Sequence, residues 1–157
     1  MVRSFVIVIS LIVFSLTAWC ANAHKFTTPK SAIQSYISGV SEGVGKNVEM
    51  AFQKSATIQF YDSKGKFNSF QRDEFIKLID TGKKWNVEVE ITHLSMTKHA
   101  ANATVEFIWG KNSEHGFVDY LNLMFDGEKW QITNKVAQYV SRNSDAQVEK
   151  APVDIKR

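Results

Sequence analysis

The sequence predicts an α+β domain in which three N-terminal helices pack on one face of a strongly curved antiparallel sheet. Apolar residues recur at helical spacing between Thr28 and Thr81. From Trp85 onward the apolar period changes from about 3.6 residues to two, which is typical of a meander of antiparallel strands. Each layer has an apolar face that the other layer can bury. A sheet curved into a cone-shaped barrel around a helix encloses a pocket, which is a natural small-molecule site.

The first helix begins at Thr28, whose hydroxyl can cap it, and at Pro29, whose missing N–H costs nothing in the first turn. Its apolar stripe comprises Ala32, Ile33, Tyr36, Ile37 and Val40. Gly43 and Gly45 end the helix. A second, short helix is predicted from Asn47 to Phe52.

A strand and a third helix follow. The stretch from Ala56 to Tyr61 alternates as a strand does and stops at the turn Ser63-Lys64-Gly65. Ser69 and the polar residues after it open the third helix, which ends at Thr81-Gly82. Its inward-facing residues are expected to be Phe75, Ile76 and Ile79.

The second half of the chain is predicted to form long strands. They run from Asn86 to Thr97, Asn102 to Trp109, Gly116 to Phe125 and Lys129 to Tyr139. Asp126-Gly127 is a tight hairpin signal between the last two. No internal repeat or linker interrupts the pattern, so residues 24–140 are expected to form a single domain. Residues 141–157 are polar without a sustained apolar face, and a flexible tail is expected there.

Residues 1–23 have the features of a signal peptide. Arg3 gives a positive start, residues 5–16 form a short apolar run, and Ala21-Asn22-Ala23 supplies the small residues of a cleavage site. A membrane anchor is the alternative, but the apolar run is shorter than the roughly 20 residues that span a bilayer. We therefore expect an exported protein, periplasmic or secreted, that begins at His24 and has no membrane association after cleavage.

Composition argues against several function classes. The chain carries 19 Lys and Arg and 16 Asp and Glu, scattered without a basic stripe, so nucleic-acid binding is not expected. Cys20 is the only cysteine and lies in the leader, so the mature chain has no disulfide. His93, His99 and His115 lack the spacing of metal ligands, and surface positions are expected for them. No metal or cofactor is predicted.

The segment from His115 to Val140 is predicted to form a hairpin. One acidic residue occurs in it at a position where the alternation predicts an apolar residue. Asp119 shares a strand face with apolar residues such as Phe117. A carboxylate there must be hydrogen-bonded, paired or protonated, because an uncompensated buried charge costs several kcal/mol or shifts its pKa. Asp119 is therefore the leading functional candidate. The alternative is a structural carboxylate bound to Tyr36 or Lys135.

The order of elements, with AIQSYISGVSEGVGKNVEMAFQKSATIQF near the start and GFVDYLNLMFDGEKWQITNK near the end, resembles the nuclear-transport-factor-2-like (NTF2-like) superfamily. Ketosteroid isomerases and SnoaL-like polyketide cyclases share this cone-shaped fold. The second segment looks most like the subgroup named putative lumazine-binding proteins, in which an Asp-bearing strand leads through a Gly turn to a Trp strand ending in Asn-Lys. The resemblance runs from Lys30 to Val140 and implies a fold more than a function.

Comparison with the isomerase branch implies roles for two side chains. That branch uses a tyrosine and a protonated aspartate as oxyanion donors and a second carboxylate as the base. Tyr36 matches the tyrosine by its spacing to Gly43 and Phe52, and Asp119 matches the oxyanion aspartate. Phe60 stands where the base is expected and cannot take a proton. The two donors could hold a carbonyl or enolate-like oxygen, which favours binding over turnover.

The leading hypothesis is an exported, non-catalytic domain that binds a small, flat and partly polar molecule between the first helix and the sheet. The predicted ligand-binding residues are Tyr36, Phe60, Trp109, Phe117, Asp119 and Asn134. Other aromatic residues that could line the pocket are Trp85, Phe107 and Trp130. All of these aromatic residues could equally fill the core. The alternative is an isomerase, dehydratase or cyclase that uses Asp119 and Tyr36.

Strict alternation in the last strands leads to two further expectations. Asp119 should face a cavity with Tyr36 within hydrogen-bonding reach, and Lys135 should point away from the core. Asp119 would then have no cation beside it, which would raise the pKa of that carboxyl. The residues expected on the opposite, inward face are Trp130, Ile132, Asn134 and Val136. The residues expected to form an exposed apolar patch are Val118, Tyr120 and Met124. Such a patch predicts a homodimer, and a homodimeric interaction module is a further alternative.

Overall fold

The computed structural model of this chain describes residues 26–142. In that range the helices span Pro29–Glu42 (α1), Gly45–Ala51 (α2) and Arg72–Ile79 (α3). The strands span Phe52–Tyr61 (β1), Phe67–Gln71 (β2), Glu88–Met96 (β3), Ala100–Trp109 (β4), His115–Phe125 (β5) and Trp130–Ser141 (β6). The predicted signal peptide, and the predicted tail beyond Arg142, lie outside the described residues.

Local chemistry sets both ends of α1 where the sequence predicts them. Thr28 Oγ1 accepts the N–H of Ser31 at 3.2 Å, and Pro29 occupies the first turn. Gly43 takes a left-handed conformation with φ of 67°, and its N–H donates to the carbonyl of Gly39. The buried residues of the helix include Ala32, Ile33 and Tyr36 from the predicted stripe.

The other two helices differ from the prediction at their first residues. α2 begins at Gly45 rather than at Asn47, and Asp80 Oδ1, distant in sequence, accepts the N–H of Gly45 at 2.9 Å. α3 begins at Arg72 rather than near Ser69, because the preceding residues form the strand β2, which was not predicted. A short edge strand of this kind is specified by its partner β1 more than by its own sequence.

The strands form one mixed sheet in the order β2-β1-β6-β5-β4-β3. Neighbouring strands are antiparallel, as predicted, except for β1 and β6, which are parallel. Most of the domain separates β1 from β6 along the chain, so no hairpin turn forces them to be antiparallel. β2 and β3 are the two edges, and the sheet is therefore not closed. The predicted α+β class is confirmed.

A β-bulge in β6 decides which of its side chains reach the core. Asn122 pairs with Asn134, but the next residue of β5, Leu123, pairs with Ile132. Thr133 is therefore an extra residue on β6. Because side chains alternate between the two faces of a sheet, one extra residue moves all later side chains to the opposite face.

The predicted orientation of the second half of β6 is therefore wrong. Lys135 and Ala137 are buried in the inner face, the side of the sheet that carries the core residues. Val136 is 45% exposed on the outer face, and Asn134 also lies there, beside Asn122. The bulge thus brings a charged side chain to the inner face and removes an amide from it.

The core lies between the helices and the inner face of the sheet. Its largest fully buried apolar or aromatic side chains are Tyr36, Phe52, Phe107, Ile33, Ile58, Leu121, Leu123 and Ile132. Gly39 permits the close approach of α1 to α2, because a Cβ there would lie 2.6 Å from Val48 Cγ2. This packing holds α1, which carries Tyr36, in a defined position against the sheet.

Candidate functional site

A cavity of about 160 Å³ lies between α1, α3 and the inner face of the sheet. Its lining residues are Tyr36, Val40, Phe60, Phe75, Leu78, Ile79, Trp85, Phe107, Phe117, Asp119 and Lys135. All of these are apolar or aromatic except Asp119 and Lys135, and Tyr36 adds a hydroxyl. The cavity therefore has apolar walls and a small number of polar atoms, as small-molecule sites commonly do.

The three polar side chains of the lining bind one another, and we call them the polar cluster. Tyr36 Oη donates a hydrogen bond to Asp119 Oδ2 at 2.5 Å. Lys135 Nζ lies 2.8 Å from the same carboxylate oxygen and donates to Tyr36 Oη at 2.7 Å. Tyr36 and Asp119 are 1% and 0% exposed, and Lys135 is 7% exposed. The cluster is thus a buried ion pair with a neutral hydroxyl bridging its two members.

Each member reaches the cluster by a different structural route. Tyr36 lies on the buried stripe of α1, and Asp119 lies on the inner face of β5 because the strand alternates. Lys135 reaches the inner face because of the bulge at Thr133. Three separate elements, α1, β5 and β6, therefore supply one side chain each.

Burial raises the pKa of the Tyr36 hydroxyl well above its ordinary value. The negative charge of Asp119 raises this pKa further, as does the hydrogen bond that the carboxylate accepts. The hydroxyl therefore keeps its proton throughout the physiological pH range and acts as a donor to Asp119.

Two aromatic rings lie near the ammonium of Lys135. Its Nζ lies 5.2 Å from the ring centroid of Tyr36 and 5.2 Å from that of Phe75. Such cation–π contacts stabilise a cation that has left water. The Asp119 carboxylate supplies the counter-charge, so the lining has no net charge.

One oxygen of the cluster is left without a partner. Among the described residues, Asp119 Oδ1 is buried and has no hydrogen-bond donor within reach. Both Tyr36 and Lys135 are bound to the other carboxylate oxygen. The open hydrogen-bonding position of the site therefore belongs to an acceptor.

The structure brings together four of the six predicted ligand-binding residues. Tyr36, Phe60, Phe117 and Asp119 all line the cavity. The predicted contact between Tyr36 and Asp119 is present. The expected unpaired state of Asp119 is wrong, because Lys135 forms an ion pair with it.

The other two predicted residues do not line the cavity. Trp109 packs beside it, with ring centroids 5.8 Å from Phe117 and 4.9 Å from Trp85. Asn134 lies on the outer face, where its Nδ2 donates to Thr57 Oγ1 at 3.0 Å. Trp109 can support the cavity wall, whereas Asn134 is separated from the cavity by the sheet.

The sequence indicates Lys135 only as an alternative partner of Asp119, and it indicates the third-helix residues of the cavity wall only as core. Phe75 and Ile79 were recognisable as inward-facing residues of the third helix, and Trp85 and Phe107 as aromatic candidates. No signal in the sequence marks the inward direction of Lys135, because that direction depends on a single extra residue in β6.

Two kinds of site are not found in the part of the chain that the structure describes. Within residues 26–142 no group of three or more His, Cys, Asp and Glu side chains could hold a metal ion. None of the helices in that range is long and apolar enough to cross a membrane.

Comparison with protein families gives a match over most of the chain. The family model described as "Putative lumazine-binding" matches residues 24–138. No curated protein matches the chain.

Solved structures with similar folds have NTF2-like descriptions. An NTF2-like protein of unknown function from Methylobacillus flagellatus KT is 27% identical, with a TM-score of 0.61, over 72% of this chain and 90% of that one. Another, from Shewanella baltica OS155, is 21% identical, with a TM-score of 0.61, over 71% and 90%. A ketosteroid isomerase-like protein from Erwinia carotovora atroseptica SCRI1043 is 10% identical, with a TM-score of 0.56, over 71% and 93%. These likenesses show the NTF2-like fold.

Proposed function

Since this chain belongs to the family described as "Putative lumazine-binding", we propose that it is an exported, non-catalytic domain that binds a small, flat and partly polar molecule. The site is the cavity between α1, α3 and the sheet. The proposal rests on one observation: the cavity has apolar walls apart from a single buried polar cluster. A ligand ring would pack against the aromatic side chains, and the cluster would fix its orientation.

Two features of the cavity support binding rather than turnover. The polar cluster is internally bound, since Tyr36 donates to Asp119 and Lys135 contacts both. Isomerase chemistry in this fold needs a second carboxylate as the base. The expected position holds Phe60, and no other carboxylate occurs among the lining residues that the structure describes. An isomerase, dehydratase or cyclase is therefore the weaker reading.

Export is supported by the signal-peptide features of residues 1–23. We expect the mature protein to begin at His24. Intact-mass measurement of protein recovered from outside the cytoplasm tests this. A full-length chain retained in the membrane fraction would contradict it.

The binding proposal is tested by native mass spectrometry and by titration. Native mass spectra of the freshly purified protein report a co-purified molecule, and calorimetric titrations with lumazine and with indole report ring binding directly. Val40→Phe places a ring in the cavity and should abolish binding. Val136→Phe makes the same change on the outer face and should leave binding intact. The proposal fails if nothing co-purifies and neither ring binds.

Association of two copies is a second function, favoured by the outer face of the sheet. Of the three predicted patch residues, Tyr120 and Met124 are 51% and 48% exposed there, and Val118 is half-buried. An apolar patch of this kind is typical of an interface. Sedimentation at micromolar concentration should show a dimer that Tyr120→Glu disrupts. Met96→Glu, at an exposed apolar residue of β3, is the control. A monomer unaffected by Tyr120→Glu would contradict the idea.

A further inference from the structure

The hydrogen bonds of the polar cluster all converge on one oxygen of Asp119. Tyr36 Oη donates to Oδ2 at 2.5 Å, and Lys135 Nζ lies 2.8 Å from the same atom. Oδ1, on the same fully buried side chain, has no partner among the residues that the structure describes. A buried carboxylate oxygen without a donor is costly, because it has lost water and gained no hydrogen bond in exchange. The site is therefore short of one donor.

The Tyr36 proton and two of the three N–H groups of Lys135 are already in use. Tyr36 has one hydroxyl proton, which it donates to Asp119, and its oxygen accepts from Lys135. Lys135 directs its ammonium to these two groups and to the rings of Tyr36 and Phe75. A ligand carbonyl or enolate oxygen would have to displace one of these bonds or take the third N–H of Lys135 away from the Phe75 ring. Oδ1 is covered by its neighbours, but Asp119 lines the cavity, so a ligand N–H or O–H group that displaces those neighbours would bind Oδ1 and leave the bonds to Oδ2 intact.

Charge and size restrict the ligand further. The charges of Asp119 and Lys135 cancel, and the other lining residues that the structure describes are uncharged. An ionic ligand would lose its hydration in the cavity without meeting a free counter-charge. The volume of about 160 Å³ is close to that of an engineered apolar cavity of about 150 Å³ that binds benzene. A small aromatic ring therefore suits the space.

We infer that the cavity selects an uncharged aromatic molecule that donates an N–H or O–H hydrogen bond to Asp119 Oδ1. This inference rests on the binding role proposed above and names the chemical class of its ligand. The direction of this hydrogen bond is opposite to the one that the resemblance to isomerases implies, in which Tyr36 and Asp119 would donate to a ligand oxygen. The reversal follows from Lys135, which supplies Asp119 with a cationic partner.

Indole and benzofuran form a matched pair of probes for this inference. The two rings have nearly the same shape, but indole carries an N–H donor where benzofuran carries an ether oxygen. Calorimetric titration of the full chain should give an affinity for indole about tenfold or more above that for benzofuran, since a hydrogen bond to a charged group is among the stronger kinds. Benzoate, a ring of similar size that carries a negative charge, should not bind.

The double variant Asp119→Leu/Lys135→Met assigns the preference to Oδ1. It removes both members of the ion pair together, so no single buried charge is left behind. Circular dichroism establishes that it is folded. The ratio of indole to benzofuran affinity should fall to about one in this variant, while benzofuran still binds. Val136→Phe, on the outer face, should keep the ratio of the unaltered protein.

Four outcomes would contradict the inference, and each contradicts a different part of it. Equal affinities of the unaltered protein for the two rings would overturn the donor requirement and leave the binding role standing. Tight binding of benzoate would overturn the requirement for an uncharged ligand. A preference for indole that persists in a folded double variant would remove Oδ1 as its cause. Failure of both rings to bind the unaltered protein would overturn the inference, and the binding role falls with it only if no molecule co-purifies.

Discussion

At the scale of single residues, the site depends on a buried ion pair whose members need each other. Asp119 and Lys135 are 0% and 7% exposed, and their charged atoms lie 2.8 Å apart. Removing one member of such a pair leaves an uncompensated charge in a medium that solvates it poorly. Removing both leaves a larger apolar core. The two residues should therefore respond to substitution as a unit.

Lys135→Met and Asp119→Leu should each lower the free energy of unfolding by about 3–5 kcal/mol, since each strands the opposite charge. The double variant should cost less than the sum of the two by roughly 2 kcal/mol or more, because the stranded charge is absent. Urea unfolding of the four proteins gives the coupling energy. Additive effects would mean that the two side chains do not interact in solution.

The Tyr36 hydroxyl should make the protein sensitive to alkaline pH. Its pKa is raised by burial and by Asp119, so the folded protein retains a proton that the unfolded chain releases above about pH 10. The unfolded state then binds fewer protons than the folded state, and stability falls as the pH rises through and beyond that value.

Tyr36→Phe provides the comparison for that effect. Urea unfolding at successive pH values should show a shallower alkaline loss of stability for Tyr36→Phe than for the unaltered protein. Tyr61→Phe, at a residue 45% exposed, should retain the original slope. Identical slopes for all three proteins would show that Tyr36 ionises normally in the folded state.

At the scale of the secondary structure elements, α1 and β6 position the site by different means. The cap at Thr28 and the left-handed Gly43 define α1 locally, and Tyr36 follows from the helical stripe. β6 depends on a bulge at Thr133, and Lys135 follows from its register with β5. A helix end is encoded by neighbouring residues, whereas a bulge is defined only against a partner strand.

Removal of the α1 cap tests the local part of this argument. Thr28→Ala eliminates the hydroxyl that accepts the Ser31 N–H at 3.2 Å, so the free energy of unfolding should fall by about 1 kcal/mol. Thr27→Ala changes the adjacent exposed threonine and should cost less than about 0.5 kcal/mol. Chemical denaturation measures both. Equal losses for the two variants would contradict a capping role for Thr28.

At the scale of the whole molecule, the cavity is a property of the layered fold rather than of any one element. Its walls come from two helices, four strands and the segment before β3. Such a cavity exists only in the folded chain, so a ligand that occupies it must stabilise the fold as a unit.

Indole at about 100 times its dissociation constant should raise the free energy of unfolding by about 2.7 kcal/mol, because it binds the folded state alone. Val40→Phe fills the cavity and should remove this increment, whereas Val136→Phe should retain it. Urea unfolding with and without indole is the measurement. An increment that survives in Val40→Phe would place the ring somewhere other than the cavity.

The sequence by itself determined the features that depend on nearby residues. The α+β class, the ends of α1 and the long strands of the second half follow from periodicity and turn chemistry. The contact between Tyr36 and Asp119 was also predictable. A carboxylate on an apolar face requires a partner, and the resemblance to isomerases indicated Tyr36 as that partner.

Only the tertiary structure decided the features that depend on distant partners. β2 exists as an edge of β1, and β1 pairs in parallel with β6 across most of the chain. The bulge at Thr133 appears only in the register between β5 and β6. It places Lys135, rather than Asn134, on the inner face. Alternation along one strand cannot reveal a one-residue insertion, yet that insertion reverses every later side chain. The ion pair, and with it the polarity of the cavity, is therefore a consequence of strand pairing.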